Sequence, residues 1–306
     1  MSAAPLPGRG LAGGHAEGGV ETVISVDQVA REAEALRVAI PEERLMELAR
    51  NDPFLSIRGL RAGYGNMEIL HDFTLHVARG QSLCLIGPNG AGKSTVLHSI
   101  FGFTRIFGGA ILLADGPRVR DITRLTSERK LAEARVAYIL QDKSVFPQMT
   151  VEENLLMGGF LLDSRARAKQ AAERVFDRYP RLAARRGHAA SVLSGGERRL
   201  LEISRALVME PEVLLVDEPS IGLEPRFIDM VFEILRELQQ DEGKTIVMVE
   251  QNAKKGLQFA DLGYVLVSGE LAMAGTGDKL VESARRHAKD RPDVARTLPE
   301  PPLRRS

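Results

Sequence analysis

The sequence predicts an α/β fold organised around a mainly parallel sheet. Three observations carry that expectation. Short, almost wholly apolar runs recur along the chain, the composition of strands buried on both faces of a sheet. Helical stretches separate these runs, as the crossovers between parallel strands require. One run, Gln81 to Ile86, passes straight into a glycine-rich turn and then a helix.

The elements follow in order. Phe54 to Arg58 opens a strand and Thr74 to Val77 is another, with apolar and polar residues alternating. After the apolar run Gln81 to Ile86, Ser94 to Phe101 reads as a helix. Further buried strands are legible at Arg135 to Ile139, Val213 to Val216 and Thr245 to Val249, and helices are expected over 151–162, 164–178, 196–208 and 226–239. Residues 142–193 hold no convincing strand, which places a helical subdomain at about 142–195. No internal repeat is visible.

Both ends differ in character. Residues 1 to about 24 are rich in glycine and small residues and are expected to be disordered. An amphipathic helix is expected from Gln28 to Ile40; Pro41 interrupts it, and Glu42 to Arg50 resumes a short helical pattern with Leu45, Met46 and Leu48 apolar. This extension, residues 1–50, reads as a docking arm or inhibitory lid or, more plainly, as a solvated extension or the product of a misplaced start codon. The folded domain is expected over 54–282. A charged, proline-rich tail at 286–306 (Pro299, Pro301, Pro302) is expected to be disordered.

Composition sets limits on function. The chain has 306 residues, 44% apolar and 27% charged, the profile of a soluble globular protein of one or two domains. Its 41 basic and 41 acidic residues balance, so no whole-molecule field draws it to nucleic acid or an anionic membrane. The basic pairs Arg185-Arg186, Arg198-Arg199 and Arg304-Arg305 read as solvated surface. A single cysteine, Cys84, excludes an internal disulfide and reads as a small buried hydrophobe. No apolar stretch reaches the roughly 18 residues of a membrane span, and no secretory signal is legible. If the protein acts at a membrane, other subunits hold it there.

The chemistry lies at the ends of the apolar strands. Gly87, Pro88, Asn89, Gly90, Ala91, Gly92, Lys93, Ser94 and Thr95 fit the pattern G-x-x-x-x-G-K-[ST], directly after a buried strand and before a helix. The glycines let the backbone turn its amides inward toward phosphate oxygens, and the helix start adds its positive dipole end. Lys93 is expected to reach the β- and γ-phosphates of ATP, and the Ser94 hydroxyl to ligate Mg²⁺. The run Val213 to Val216 ends in Asp217 and Glu218. Side chains alternate along a strand, so the two acids need not share a role. Asp217 fits the acid that holds Mg²⁺ through water, and Glu218 the general base that polarises the attacking water.

A further segment discriminates among phosphate-binding folds. Leu193, Ser194, Gly195, Gly196, Glu197, Arg198 and Arg199 precede a helix with Leu201, Ile203 and Leu207 apolar. Structurally, Ser194 is an N-cap, Gly195-Gly196 a turn and Glu197 a first-turn acid. A serine and exposed amides at a helix start also suit an anion. On these residues the chain resembles the ATP-binding cassette family, whose signature is LSGGE or LSGGQ. The resemblance implies a P-loop NTPase fold with a mainly parallel sheet core, an antiparallel β subdomain and a helical subdomain. It also implies that Ser194, Gly195, Gly196 and Glu197 cap the γ-phosphate held by another subunit's loop, so that a complete site needs two ATPase domains head to tail. Over residues 54 to 282, other positions match in order. Tyr64 (in Gly63-Tyr64-Gly65) matches the aromatic that stacks on adenine, Gln141 the glutamine that contacts Mg²⁺ and water, and Ser220 to Pro225 the loop that crosses the dimer interface.

One position departs from the family. Gln251 stands where most cassettes place a histidine facing the γ-phosphate, and a carboxamide donates a hydrogen bond but has no titratable proton. With Val249-Glu250-Gln251-Asn252-Ala253, the stretch Ser144 to Leu155 and Ala260 to Leu266, the departure resembles LivF-type ATPases of branched-chain amino-acid importers. The resemblance implies a hydrolase dependent on ATP and Mg²⁺, peripheral to the cytoplasmic face of the plasma membrane. Its implied partners are a second ATPase subunit, integral membrane permeases and, indirectly, a periplasmic binding protein; nucleic acid is not among them. The alternatives are service to a lipid or lipopolysaccharide exporter, which a histidine at 251 would favour, and a soluble cassette acting on ribosomes or DNA, which usually carries two cassettes or a coiled-coil insertion.

Overall fold

The computed structural model describes residues 40–141 and 144–282. The disorder expected at residues 1–24 and 286–306, Arg304-Arg305, and all but the last residue of the helix expected over Gln28 to Ile40 lie outside the described residues.

In chain order, helix α1 (Glu42–Leu48) precedes the long strands β1 (Pro53–Tyr64) and β2 (Met67–Ala78). Strand β3 (Ser82–Ile86) leads into α2 (Lys93–Phe101), followed by β4 (Arg105–Asp115), β5 (Arg118–Asp121), α3 (Ser127–Ala132) and β6 (Val136–Ile139). Helices α4 (Val151–Gly158), α5 (Arg165–Arg178) and α6 (Pro180–Ala183) come next, then a 3₁₀ turn at Ala190–Val192 and α7 (Gly195–Leu207). Strand β7 (Val213–Asp217), α8 (Pro225–Gln240), β8 (Thr245–Val249), α9 (Ala253–Phe259), β9 (Leu262–Val267) and β10 (Glu270–Thr276) complete the described fold.

Two sheets result. One is four-stranded and antiparallel, in the order β2-β1-β4-β5; the other is six-stranded, in the order β10-β9-β3-β8-β7-β6. In the second, β9, β3, β8, β7 and β6 run parallel, and β10 closes one edge antiparallel to β9. The apolar strands are explained by two cores. Cys84, Ile86, Leu214, Val216, Ile246 and Met248 face a cluster shared with α4, α5, α7, α8 and α9. Their alternates Leu83, Leu85, Val213, Leu215, Val247 and Val249 face α2 and the antiparallel sheet. A strand packed on both faces cannot show polar alternation. Cys84 is buried, and burial pushes its thiol pKa well up, so it packs as a hydrophobe.

Several expectations need correction. Residues 42–50 are not wholly solvated: Glu42, Glu43, Arg44, Glu47 and Arg50 are exposed, but Leu45 and Leu48, three residues apart on one helix face, are buried in the second core, and α1 packs on β2 and β10. Gln81 Nε2 donates to Leu48 O at 3.1 Å, fastening the end of α1 to the start of β3. The helix expected over 151–162 stops at Gly158, with Gly159 as its C-cap. A Cβ on Gly158 would lie 2.4 Å from Arg205 O, so that glycine is fixed by close approach of α4 to α7. Arg199 is not surface. It is buried, pairs with Glu202 at 2.8 Å and donates from Nη1 to Leu140 O at 2.8 Å.

Candidate active site

The strand order positions the site. Neighbours β3, β8, β7 and β6 are parallel, so their carboxyl ends form one row, the edge at which open α/β sheets bind ligands. Gly87 follows β3, Gln251 follows β8, Asp217 ends β7 with Glu218 just after it, and Gln141 follows β6.

After β3 the chain makes the predicted turn. Gly87, Gly90 and Gly92 have φ of 152°, 81° and 97°, backbone that favours glycine, and a Cβ on Gly87 would lie 2.2 Å from Leu266 O. Helix α2 begins at Lys93 without a side-chain cap, which leaves its first-turn amides to an anion. Lys93 is buried, and its Nζ donates to Gly87 O at 2.8 Å and Pro88 O at 3.0 Å, holding the ammonium across the mouth of its own loop. Asn89 and Gly90 are exposed, while Ala91 and Thr95 are buried behind them. Ser94 Oγ donates to Asp217 Oδ1 at 3.2 Å, and Tyr138 donates its phenol to Asp217 Oδ2 at 2.8 Å. Burial and the Asp217 charge raise the Tyr138 pKa, so it remains a donor.

Ser94 and Asp217 offer a hydroxyl and a carboxylate side by side, the hard oxygen pair that suits Mg²⁺ when phosphates complete the shell. Among the described residues no cluster of three or more His, Cys, Asp or Glu could hold a metal ion. Gln141 is not bonded to this pair. Its Nε2 donates to Glu218 Oε2 at 2.8 Å instead.

Asp217 and Glu218 do separate in their contacts, but strand alternation alone does not do it. Asp217 continues the β7 pattern toward α2, whereas Glu218 has φ 43°, a left-handed conformation costing an L-residue roughly 1–2 kcal/mol. That turn delivers its carboxylate between the loops of the two neighbouring strands. Gln141 from the β6 side holds Oε2, and Gln251 Nε2 from the β8 side donates to Oε1 at 2.8 Å. A carboxylate only accepts, so both carboxamides present nitrogen.

The predicted aromatic, Tyr64, stands 44% exposed at the end of β1, with its hydroxyl hydrogen-bonded to His98 Nδ1 and the two rings edge-to-face. His98 in turn packs against Phe103 and Tyr138, and its burial lowers its pKa. The signature segment lies elsewhere, at the start of α7. Ser194 Oγ accepts from Glu197 N at 3.2 Å and Glu197 Oε2 accepts from Ser194 N at 2.9 Å, a reciprocal capping box. Gly195 has open space where a side chain would be, but a Cβ on Gly196 would lie 2.2 Å from the Phe227 ring. Sequence reasoning missed His98 and Tyr138, which no site assignment included. Ser220 and Glu250 stand inside the segments Ser220 to Pro225 and Val249 to Ala253, but neither was given a role of its own.

The fold and this row of strand ends define a P-loop nucleoside-triphosphatase. The ABC transporter family profile matches residues 70–221. The high-affinity branched-chain amino acid transport ATP-binding protein BraG of Pseudomonas aeruginosa is 39% identical over 76% of this chain and 96% of its own length. The probable branched-chain amino acid transport ATP-binding protein LivF of Archaeoglobus fulgidus is 37% identical over 73% of this chain and 92% of its own. A solved nucleotide-free ATP-binding cassette from an ABC transporter superposes with a TM-score of 0.67 at 25% identity, over 78% of this chain and 96% of that one. An ABC transporter cassette in its ADP conformation does so with 0.65 at 26% identity, over 76% and 94%. The chain belongs to the ATP-binding cassette family: it is a nucleotide-binding, ATP-hydrolysing subunit of the ABC transporter type. No helix among the described residues is long and apolar enough to cross a membrane.

Proposed function

We propose that this chain is the energy-coupling ATPase of an importer for branched-chain or related amino acids. The observation that carries the catalytic part is Glu218, held between Gln141 and Gln251 at the end of β7. The likeness to BraG and LivF supports the cargo class. In this reading the Gly87–Thr95 loop and the α2 amides bind the triphosphate, Lys93 turns from its own carbonyls to the β- and γ-phosphates, and Tyr64 stacks on adenine. Ser94 and Asp217, with Gln141, would hold Mg²⁺, which offsets charge on the phosphates. Glu218 accepts a proton from the attacking water, and Gln251 keeps its carboxylate aimed there; with no titratable proton, Gln251 acts by orientation. Ser194 to Glu197 serve the nucleotide of a second ATPase subunit, identical or different. The assembly includes membrane permeases and, beyond them, a periplasmic binding protein, and places this chain on the cytoplasmic face of the membrane without nucleic acid.

Glu218→Gln tests the core of this reading. ATP binding is expected to persist while turnover falls by roughly 10²–10⁴-fold, the contribution of a positioned general base, with an ATP-bound dimer accumulating on gel filtration. Hydrolysis at the wild-type rate refutes the assignment. Detergent co-purification with mass spectrometry tests the assembly: permeases support it, and ribosomal proteins in their place overturn it.

A further inference from the structure

Glu250 is 1% exposed, and one of its oxygens, Oε2, has no hydrogen-bond partner among the described residues. Burying a carboxyl group this way is costly, and a packing residue at the end of β8 would avoid the cost. The other oxygen is doubly engaged: Oε1 accepts from Ser220 Oγ at 2.7 Å and from Asn252 N at 2.9 Å. Helix α9 presses on the same side chain, for a Cβ on Gly256 would lie 3.0 Å from Glu250 Cβ and 2.7 Å from Cys84 Sγ.

These contacts form a second tie across the site. Ser220 stands two residues beyond Glu218, and Glu250 one residue before Gln251. The loops after β7 and β8 are therefore joined by Gln251 to Glu218 and by Ser220 to Glu250, with Glu218 N donating to Val249 O at 2.9 Å between them. We propose that Glu250 is a positioning residue for hydrolysis: by locking Ser220 and the Asn252 amide onto one buried oxygen, it fixes the Gln251 loop against the Glu218 loop. This rests on the reading of Glu218 as general base. Without the lock, the two loops lose a tie that works beside the Gln251–Glu218 hydrogen bond, and small displacements of a catalytic group have large kinetic effects.

The test compares Glu250→Ala, Glu250→Gln, Ser220→Ala and their Ala-Ala double variant with Glu218→Gln. Each is made in the full chain, purified with the subunits it retains in detergent. Glu250→Ala and Ser220→Ala are each expected to lower kcat roughly 10- to 100-fold with KM within about threefold. The double variant is expected to be no worse than the poorer single one, since Glu250→Ala already removes the bond that Ser220→Ala breaks. Glu250→Gln keeps an acceptor oxygen for Ser220 and Asn252 N, so it is expected to return kcat to within about threefold of wild type. Wild-type kcat in either alanine variant overturns the proposal, as do independent, multiplying losses or a Glu250→Gln variant as slow as Glu250→Ala. If Glu250→Ala does not fold, Ser220→Ala decides alone, because Ser220 is only half-buried. Glu218→Gln separates the two levels. An inactive Glu218→Gln beside fully active Ser220→Ala sinks the lock and spares the general base, whereas an active Glu218→Gln sinks both.

Discussion

The Gly87–Thr95 loop and the Ser194–Glu197 segment are both glycine-rich helix starts, and they use their polar groups in opposite ways. At the first, the helix has no side-chain cap, Lys93 reaches over the loop, and Ser94 turns to Asp217 on a neighbouring strand. At the second, Ser194 and Glu197 satisfy each other, and Gly195 faces open space. The first start is left incomplete for an anion to finish. The second caps the amides of Ser194 and Glu197 from within, but not those of Gly195 and Gly196, and holds one face clear, as the proposed role toward a nucleotide on another subunit requires.

The largest effect expected from breaking this contrast is at Lys93. Lys93→Ala removes charge-assisted hydrogen bonds to phosphate worth about 1.5–3 kcal/mol each, so ATP affinity is expected to fall by at least roughly 10- to 150-fold in a nucleotide titration. Unchanged affinity would refute the cradle. Next come the two adjacent glycines of the signature, which the structure separates. Gly196→Ala drives a Cβ into the Phe227 ring, and overpacking of that kind costs about 1–3 kcal/mol, visible as a lower Tm without nucleotide. Gly195→Ala meets nothing within 4 Å, so Tm is expected to hold while hydrolysis by the assembled pair drops. Equal Tm losses at both positions would show that Gly195 is also a packing residue.

Much of this was legible from local pattern. The apolar runs at β3, β7 and β8, the loop between β3 and α2, and the cap at Ser194 depend on neighbours in sequence, and the structure places them within a residue or two of expectation. What escaped depends on distant chain. Strand β4 contains Gly108-Gly109, which breaks any alternation; Gly109 has φ 83°, and a Cβ there would lie 2.3 Å from Gly59 O on β1. Arg199 looks like one of a surface pair until the Leu140 carbonyl, 59 positions away, is brought to it. The orientation of Glu218 was hidden because a left-handed residue at a strand end leaves no mark in the order of side chains. Glu250 stands in the Val249–Ala253 segment, but its burial and its bond to Ser220, 30 positions away, were hidden.

The smallest effect is the most discriminating for the signature segment. Ser194→Ala removes one half of the capping box, and an N-cap serine contributes about 0.5–2 kcal/mol. In a domain of this size each kcal/mol shifts Tm by about 2–4 °C, so the apo protein is expected to melt a few degrees lower. That loss belongs to the helix and does not depend on nucleotide. If the Ser194 hydroxyl also serves a phosphate on the facing subunit, a second loss appears when the same substitution is made in Glu218→Gln: ATP then raises Tm less than in Glu218→Gln alone. A Tm deficit of equal size with and without ATP would confine Ser194 to its cap and leave the amides at Gly195 and Gly196 as the anion-facing groups.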